Sequence, residues 1–213
     1  MFTTSLVHDI VGGINSDILL SDAERTLSSI PPIQKTALLI DGPNFQKTRK
    51  AIKMEKDYQA FFSVLRRYFN LTSIYYFMGL WEGTPSTPMV KELHYLSKSG
   101  VRVVTKPATK HISENGEVFY KGNMDTHLCI TACLECSTAE NIMLASGDSD
   151  FIPLLNGIKG RGQRATLLSS EDERVDCLSH ALRLCADTFI DLAWINALIK
   201  KEEKEIDLHQ YLN

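Results

Sequence analysis

The chain has 213 residues, of which 44% are hydrophobic, and a formal net charge of −3. This length accommodates one well-buried domain with appendages and is too short for two domains of typical size. The acidic balance excludes a protein that coats nucleic acid by overall charge, so any such contact must come from a local basic patch. Asp9 and Asp17 interrupt the early apolar residues and the first basic residue is Arg25, so we expect neither a signal peptide nor a membrane span.

The cysteines indicate the compartment. There are five, an odd number, and Cys129, Cys133 and Cys136 crowd one segment. A secreted disulfide framework has an even number of cysteines spread along the chain. We therefore expect a protein of the reducing cytoplasm.

The sequence divides into three parts. Residues 1–35 carry apolar residues at helical spacing up to Ile18, before the segment Ser28-Ser29-Ile30-Pro31-Pro32 breaks the pattern, and we expect an N-terminal extension that is a docking element or a flexible arm. Residues 36–192 form the predicted domain. Residues 193–213 are charged and are predicted to form a C-terminal helical tail.

Within the domain, short apolar runs alternate with segments of helical periodicity. Predicted strands lie at Ala37–Ile40, Ser73–Met78, Val101–Val104, Ile142–Ala145, Ala165–Leu168 and 188–192, and a hairpin is predicted around Asn115-Gly116. Predicted helices include 123–136, 150–159 (with Ser149 as N-cap) and 174–184. This alternation predicts an α/β fold of three layers, in which right-handed crossovers connect the strands of a mostly parallel sheet.

Acidic residues follow two of these strands. Asp148 and Asp150 come directly after the apolar run at 142–145, where Pro153 marks the first turn of a helix, and Asp41 follows the strand at 37–40 in the same way. Open α/β sheets bind their ligands at this carboxyl edge. The simpler interpretation is that Asp148 forms a turn and Asp150 interacts with the helix dipole.

Several carboxylates at one sheet edge repel one another unless a cation neutralises them. Mg²⁺ or Mn²⁺ is the expected ion, because hard divalent cations prefer oxygen ligands. Paired ions of this kind activate water and stabilise the leaving oxygen in phosphodiester hydrolysis. Asp125 would join this cluster only if the hairpin region brought it to the same edge.

Three motifs carry a family resemblance: Leu39-Ile40-Asp41-Gly42-Pro43-Asn44, Lys121-Gly122-Asn123-Met124-Asp125 and Ala145-Ser146-Gly147-Asp148-Ser149-Asp150-Phe151. In this order and spacing they resemble the NYN domains of the PIN-like nuclease superfamily, especially the LabA-like branch. The resemblance implies a PIN-like α/β/α fold and metal-dependent RNA cleavage.

The resemblance also implies roles for individual residues. It makes Asn44 a residue that orients Asp41 or the substrate, and it places the Ser146 hydroxyl near the metal. The residues that it assigns to metal binding or water activation are Asp41, Asp125, Asp148 and Asp150. Many relatives carry another Asp six residues after the Lys-Gly-x-x-Asp acid, where this chain has Thr131. Threonine adds no charge, so this departure bears on metal affinity and on full activity.

A basic ribbon follows Asn44. Together with Lys121 it could bind the phosphates of RNA, single-stranded by expectation, while Trp81 could stack on a base. The alternative is an ordinary solvated helix face. The residues of the ribbon are Lys47, Arg49, Lys50, Lys53 and Lys56.

Two other functions stay open. A binding or regulatory module could keep the fold and the RNA surface without efficient catalysis, which Thr131 would favour. A haloacid-dehalogenase-type phosphatase would also place an acid at Asp41, but it requires a second Asp where this chain has Pro43. No membrane partner is expected, and the sequence is compatible with a homodimer.

Overall fold

The structure is a computed structural model that describes residues 18–29, 34–81, 87–113, 115–116, 118–172 and 177–211. Its centre is a seven-stranded sheet. The strands are β1 (Lys35–Asp41), β2 (Asn70–Trp81), β3 (Arg102–Ile112), β4 (Val118–Lys121), β5 (Asn141–Ala145), β6 (Arg164–Ser169) and β7 (Thr188–Asp191).

The strand order across the sheet is β4-β3-β2-β1-β5-β6-β7. All neighbouring pairs are parallel except β3 and β4, which form the antiparallel hairpin predicted around Gly116. Gly116 has a φ of 80°, a left-handed conformation that glycine adopts without a steric penalty. The order reverses direction at β1, whose neighbours are β2 and β5, so the topological switch point lies at the carboxyl ends of β1 and β5.

Helices cover both faces. They are α1 (18–28), α2 (Gly42–Ala51), α3 (Tyr58–Tyr68), α4 (Thr87–Lys98), α5 (Asp125–Ile130), α6 (Ile152–Gly160), α7 (His180–Cys185) and α8 (Leu192–Tyr211). One buried cluster packs α1, α2, α3 and α8 against the sheet, and a second packs α5, α6 and α7 against the opposite face. The three-layer α/β/α PIN-like fold that the sequence predicts is therefore confirmed.

Several predicted boundaries differ from the structure. The helix predicted over 123–136 is α5 followed by a π-helical turn, Thr131–Glu135. Asp148, and not Ser149, caps the turn before α6, because its carboxylate accepts a hydrogen bond from the backbone N–H of Asp150. α7 starts only at His180, where the hydroxyl of Ser179 caps it, and residues 173–176 of the helix predicted at 174–184 lie outside the described residues.

The two ends of the chain join the domain where they are described. Ala23 and Leu27 of α1 are buried in the first cluster, as are Ile195 and Leu198 of α8. Residues 1–17 of the predicted extension lie outside the described residues. No helix in the described part of the chain combines the length and the apolar character that crossing a bilayer requires.

Candidate active site at the carboxyl ends of β1 and β5

Asp41 and Ser146 connect the two strands at the switch point. Asp41 is the last residue of β1, and Ser146 follows the last residue of β5. The buried hydroxyl of Ser146 donates to Oδ2 of Asp41 at 2.8 Å and accepts a hydrogen bond from the N–H of Asp148 at 3.3 Å. Ser146 therefore links two of the predicted acids, and its burial places it behind them.

Asn44 ties the first turn of α2 to the loop after β5. Its side-chain Oδ1 accepts a hydrogen bond from the N–H of Gly147 at 3.0 Å. Its own backbone N–H favours the ionised form of the Asp41 carboxylate and so lowers the pKa of Asp41. A Cβ on Gly147 would lie 1.7 Å from the carbonyl oxygen of Cys177, so only glycine allows this close packing of backbone on backbone. Asn44 thus holds both acidic loops in place.

Asp125 reaches this edge through the hairpin. The backbone of Gly122, just after β4, lies against Gly79 of β2, and a Cβ on Gly122 would come within 2.9 Å of the Gly79 Cα. This contact fixes the start of α5 beside the carboxyl end of the sheet. The sequence alone left this placement open.

Asn123 holds the carboxylate of Asp125. Its Nδ2 donates to Oδ2 of Asp125 at 2.7 Å, and its Oδ1 accepts from the N–H of Asp125 at 2.7 Å. Asn123 was not among the residues predicted to form the site. The signal was present, because Asn two residues before the first residue of a helix is a common local hydrogen-bonding arrangement.

The electrostatics show which acids act on one another. The pKa of Asp41 is raised to about 6. Burial is the largest cause and the charges of Asp125 and Asp148 act in the same direction, whereas the hydrogen bond from Ser146 and the backbone N–H of Asn44 act against them. Asp41, Asp125 and Asp148 therefore form one interacting group. Asp150 is exposed at the start of the following turn, and its N–H donates to Oδ1 of Asp148 at 3.0 Å.

Among the described residues, no three His, Cys, Asp or Glu side chains lie close enough together to hold a metal ion as arranged. The donor chemistry of the three interacting acids nevertheless fits a hard divalent cation, because their ligand atoms are all oxygens and Asp41, whose carboxyl is largely buried, forms no ion pair with the described residues. Because the acids are not arranged to hold an ion, their side chains would have to move toward one another when a metal binds.

The basic residues divide into separate groups. Lys47 and Lys50 are exposed on α2. Arg49 is buried, and its NH1 donates to the carbonyl oxygen of Met54 at 2.9 Å, so the structure does not bring it to the predicted ribbon. Lys56 pairs with the buried Glu92. Lys121 ends β4, and its side chain lies outside what the structure describes.

Thr131 lies where α5 gives way to the π-helical turn. It is 5% exposed, so a carboxylate there would be largely buried. π-helical turns occur frequently at functional sites. Thr131 is thus close in sequence to Asp125, but its side chain is buried.

Comparison with known proteins identifies a family. A family model described as the NYN domain matches residues 35–195. The chain is also similar to a solved structure, a protein of unknown function (VPA0982) from Vibrio parahaemolyticus RIMD 2210633, with a TM-score of 0.61 and 24% identity over 76% of this chain and 94% of that one. At this identity the similarity concerns the fold alone. No curated protein matches the sequence.

Proposed function

Because the chain belongs to the NYN domain family, a group within the PIN-like nuclease superfamily, we propose that it is a metal-dependent endoribonuclease that hydrolyses phosphodiester bonds in single-stranded RNA. The observation that carries the proposal is the raised pKa of Asp41, caused by burial and by the charges of Asp125 and Asp148 at the switch point of the sheet. We also propose that the protein falls in the LabA-like branch of the family and acts in the cytoplasm.

The residues of the chain divide the work of such a reaction. Asp41, Asp125 and Asp148 would hold Mg²⁺ or Mn²⁺. The ion, when bound, would activate the attacking water and stabilise charge on the phosphate. Ser146 keeps Asp41 ionised and oriented, because its hydroxyl donates a hydrogen bond to the carboxylate, and the backbone N–H of Asn44 also favours the ionised form. Asp150 is exposed beside Asp148. In the proposed reaction it either accepts a proton from water or contacts the ligands of the metal without binding the metal itself.

Lysines near this group of acids would contact the phosphates of the RNA. Lys47 and Lys50 lie on α2, whose first turn carries Asn44, so an RNA backbone bound at the acids can run along them. Lys121, at the end of β4 and four residues before Asp125, is a further candidate for a phosphate contact. The wider chain is acidic, so these local cations would have to supply the attraction.

A second candidate function is an RNA-binding or regulatory module with weak or lost catalysis. The observation that favours it is Thr131, an uncharged residue at the position where many relatives carry an acid. The phosphatase alternative is not supported, because Pro43, where that chemistry needs an acid, lies in the first turn of α2.

The proposal is tested with a fluorescent single-stranded RNA, incubated with the protein and Mn²⁺ or with EDTA. We expect slow cleavage that needs the metal. Asp148→Asn combined with Asp150→Asn should abolish it without unfolding the protein, because the pair contributes acids to the site and no buried packing. The matched control is Glu203→Gln, which removes an exposed acid from α8 and should cleave as the wild type does.

The outcomes separate the two candidates. Metal-dependent cleavage that the double variant loses supports the nuclease. RNA binding without cleavage under any metal supports the regulatory module. Cleavage that survives in the double variant would contradict the assignment of the site.

A further inference from the structure

A groove lies between α1 and α8, on the side of the sheet that α2 and α3 also cover. Its volume is about 660 Å³. It follows α8 from Ala193 to Lys204, which is about 16 Å along a helix. The groove is distinct from the candidate active site, because none of the four acids of that site lines it.

The lining of the groove is largely apolar. Leu19 and Leu20 of α1 contribute to it, and so do Ala193 and Ala197, which lie one turn apart on α8. The two alanines leave room because their side chains end at Cβ. Ile18, the residue before Leu19, is 55% exposed. Contiguous apolar surface of this kind marks a place where another segment or molecule packs.

Charge does not select the occupant of the groove. The lining holds three lysines and three acids, and Lys201 already pairs with Glu24 of α1 at 2.8 Å. A strongly charged ligand would therefore meet both signs, so the groove suits an apolar occupant. The six charged residues are Asp172, Asp191, Lys200, Lys201, Lys204 and Glu205.

The chain itself supplies an apolar segment next to the groove. Residues 1–17, which lie outside the described residues, directly precede the turn of α1 that lines the groove. Val7, Ile10, Val11 and Ile14 recur at the spacing of one face of a helix. As a helix, this stripe would be about 10 Å long, which fits within the length of the groove.

The connection between the stripe and α1 suits a reversal of the chain. It consists of Asn15-Ser16-Asp17, and these residue types favour turns because their side chains bond to nearby backbone. A tether this short gives the stripe a high effective concentration at the groove, which a separate partner lacks. The other end of the chain is excluded as the occupant, because α8 continues past the groove to Tyr211.

We propose that residues 1–17 dock in this groove of their own chain, with the apolar stripe against Leu20, Ala193 and Ala197. Docking removes the apolar atoms of the stripe and of the groove from water together. The N-terminal extension is then a docking element of the domain. The inference is independent of the proposed nuclease, because the groove and the acidic site share no residue.

Hydrogen exchange of the full-length protein tests the docking. Amides between Val7 and Ile14 should exchange at least about tenfold more slowly than in a synthetic peptide of residues 1–17, because docking protects them. In Ala197→Arg the long side chain fills the groove, so this protection should be lost while the amides of β1 and β5 stay protected. The matched control is Glu203→Arg, which places arginine on α8 at an exposed position outside the groove and should keep the protection.

Variants of the segment test the same contact from the other side. Ile10→Asp with Ile14→Asp should abolish the protection and lower the midpoint of thermal unfolding by a few degrees. Adding Ala197→Arg to this pair should lower the midpoint no further than the more damaging change alone, because both changes remove one contact. The control is Ser5→Asp with Ser16→Asp, which adds the same charges on the opposite side of the predicted helix.

The results decide the proposal in the following way. Exchange of the segment at the rate of the synthetic peptide would overturn it, as would protection that survives in a folded Ala197→Arg protein. If Ala197→Arg does not fold, the loss or survival of protection in the Ile10→Asp, Ile14→Asp protein decides instead. Protection that disappears on dilution would mean that the segment occupies a second copy of the chain, which contradicts docking within one chain.

Discussion

The hydroxyl of Ser146 donates to the carboxylate of Asp41 at 2.8 Å across a sequence separation of 105 residues. The same oxygen accepts a hydrogen bond from the N–H of Asp148. One buried side chain thereby links the ends of β1 and β5, the two central strands. It also opposes the effect of burial, because a hydrogen bond to a carboxylate favours the ionised form.

Removal of that hydroxyl should alter the titration of Asp41. In Ser146→Ala we expect the pKa of Asp41 to rise above its value of about 6, because the largest influence that lowers it is lost while burial remains. Carbon-detected NMR of the labelled carboxyl group in the apo protein measures the change. A pKa that falls or stays constant would show that the hydrogen bond does not act on the ionised form. The control is Ser137→Ala, which removes an exposed hydroxyl that donates to the backbone carbonyl of Leu134.

Asp41→Asn should stabilise the apo protein in a manner that depends on pH. The folded-state pKa of Asp41 is raised from 3.8 to about 6, so the free energy of unfolding falls as the pH rises through that window and stays low above it. The Asp41→Asn variant has no carboxyl group to ionise at this position, so its free energy of unfolding does not fall for this reason. We expect a stabilisation of up to about 3 kcal/mol at pH 8, which shrinks as the pH is lowered to 4.5. Urea unfolding in EDTA at both pH values measures it, and an equal effect at the two would contradict the prediction.

Gly122→Ala should disturb the start of α5. The added Cβ would lie within 2.9 Å of the Gly79 Cα and the Ala108 Cβ, so backbone must move. We expect a loss of about 1–3 kcal/mol, as in other overpacked positions, together with weaker Mn²⁺ binding because Asp125 is displaced. Calorimetric unfolding and metal titration test both parts.

The control for that substitution is Gly157→Ala. Gly157 lies inside α6 with nothing within 4 Å of an added Cβ. Alanine should therefore stabilise the helix by about 0.5–1 kcal/mol without affecting metal binding. A loss of stability in both variants would mean that crowding at Gly122 is not the cause.

The basic residues of α2 should differ in whether their removal affects RNA binding or stability. Lys47→Ala with Lys50→Ala should leave the midpoint of thermal unfolding nearly unchanged and reduce the salt slope of RNA binding by about 1.4, because both residues are exposed. Arg49→Ala should instead lower the unfolding midpoint, since it removes a buried side chain and the hydrogen bond to Met54. A reduced salt slope in properly folded Arg49→Ala would place Arg49 on the RNA surface after all.

Thr131→Asp should tighten metal binding and destabilise the apo protein. Thr131 is 5% exposed, so an added carboxylate is ionised at neutral pH only at the expense of desolvation, which a bound cation offsets. Calorimetric titration with Mn²⁺ and thermal unfolding in EDTA measure the two effects, and faster cleavage should accompany the first. Thr131→Asn, of the same size without the charge, is the control. Unchanged metal affinity would mean that Thr131 lies outside the site.

The sequence by itself determined the local features. The apolar runs identified the strands, and Pro153 marked the start of a helix, because backbone preferences and burial patterns depend on neighbouring residues. The family motifs likewise indicated Asp41 and Asp148, and the alternation of elements implied that parallel strands would bring both to one edge.

Only the tertiary structure decided what depends on distant residues. The contact of Gly122 with Gly79 places Asp125 near the carboxyl edge of the sheet, and a close approach of two backbones leaves no periodic signal in sequence. Arg49 and Lys50 are adjacent and both basic, yet one is buried and the other exposed, because helix rotation relative to the core determines which side chain meets solvent. The ionisation of Asp41 also depends on the tertiary structure, because its pKa is set by burial and by carboxylates that other strands and helices supply.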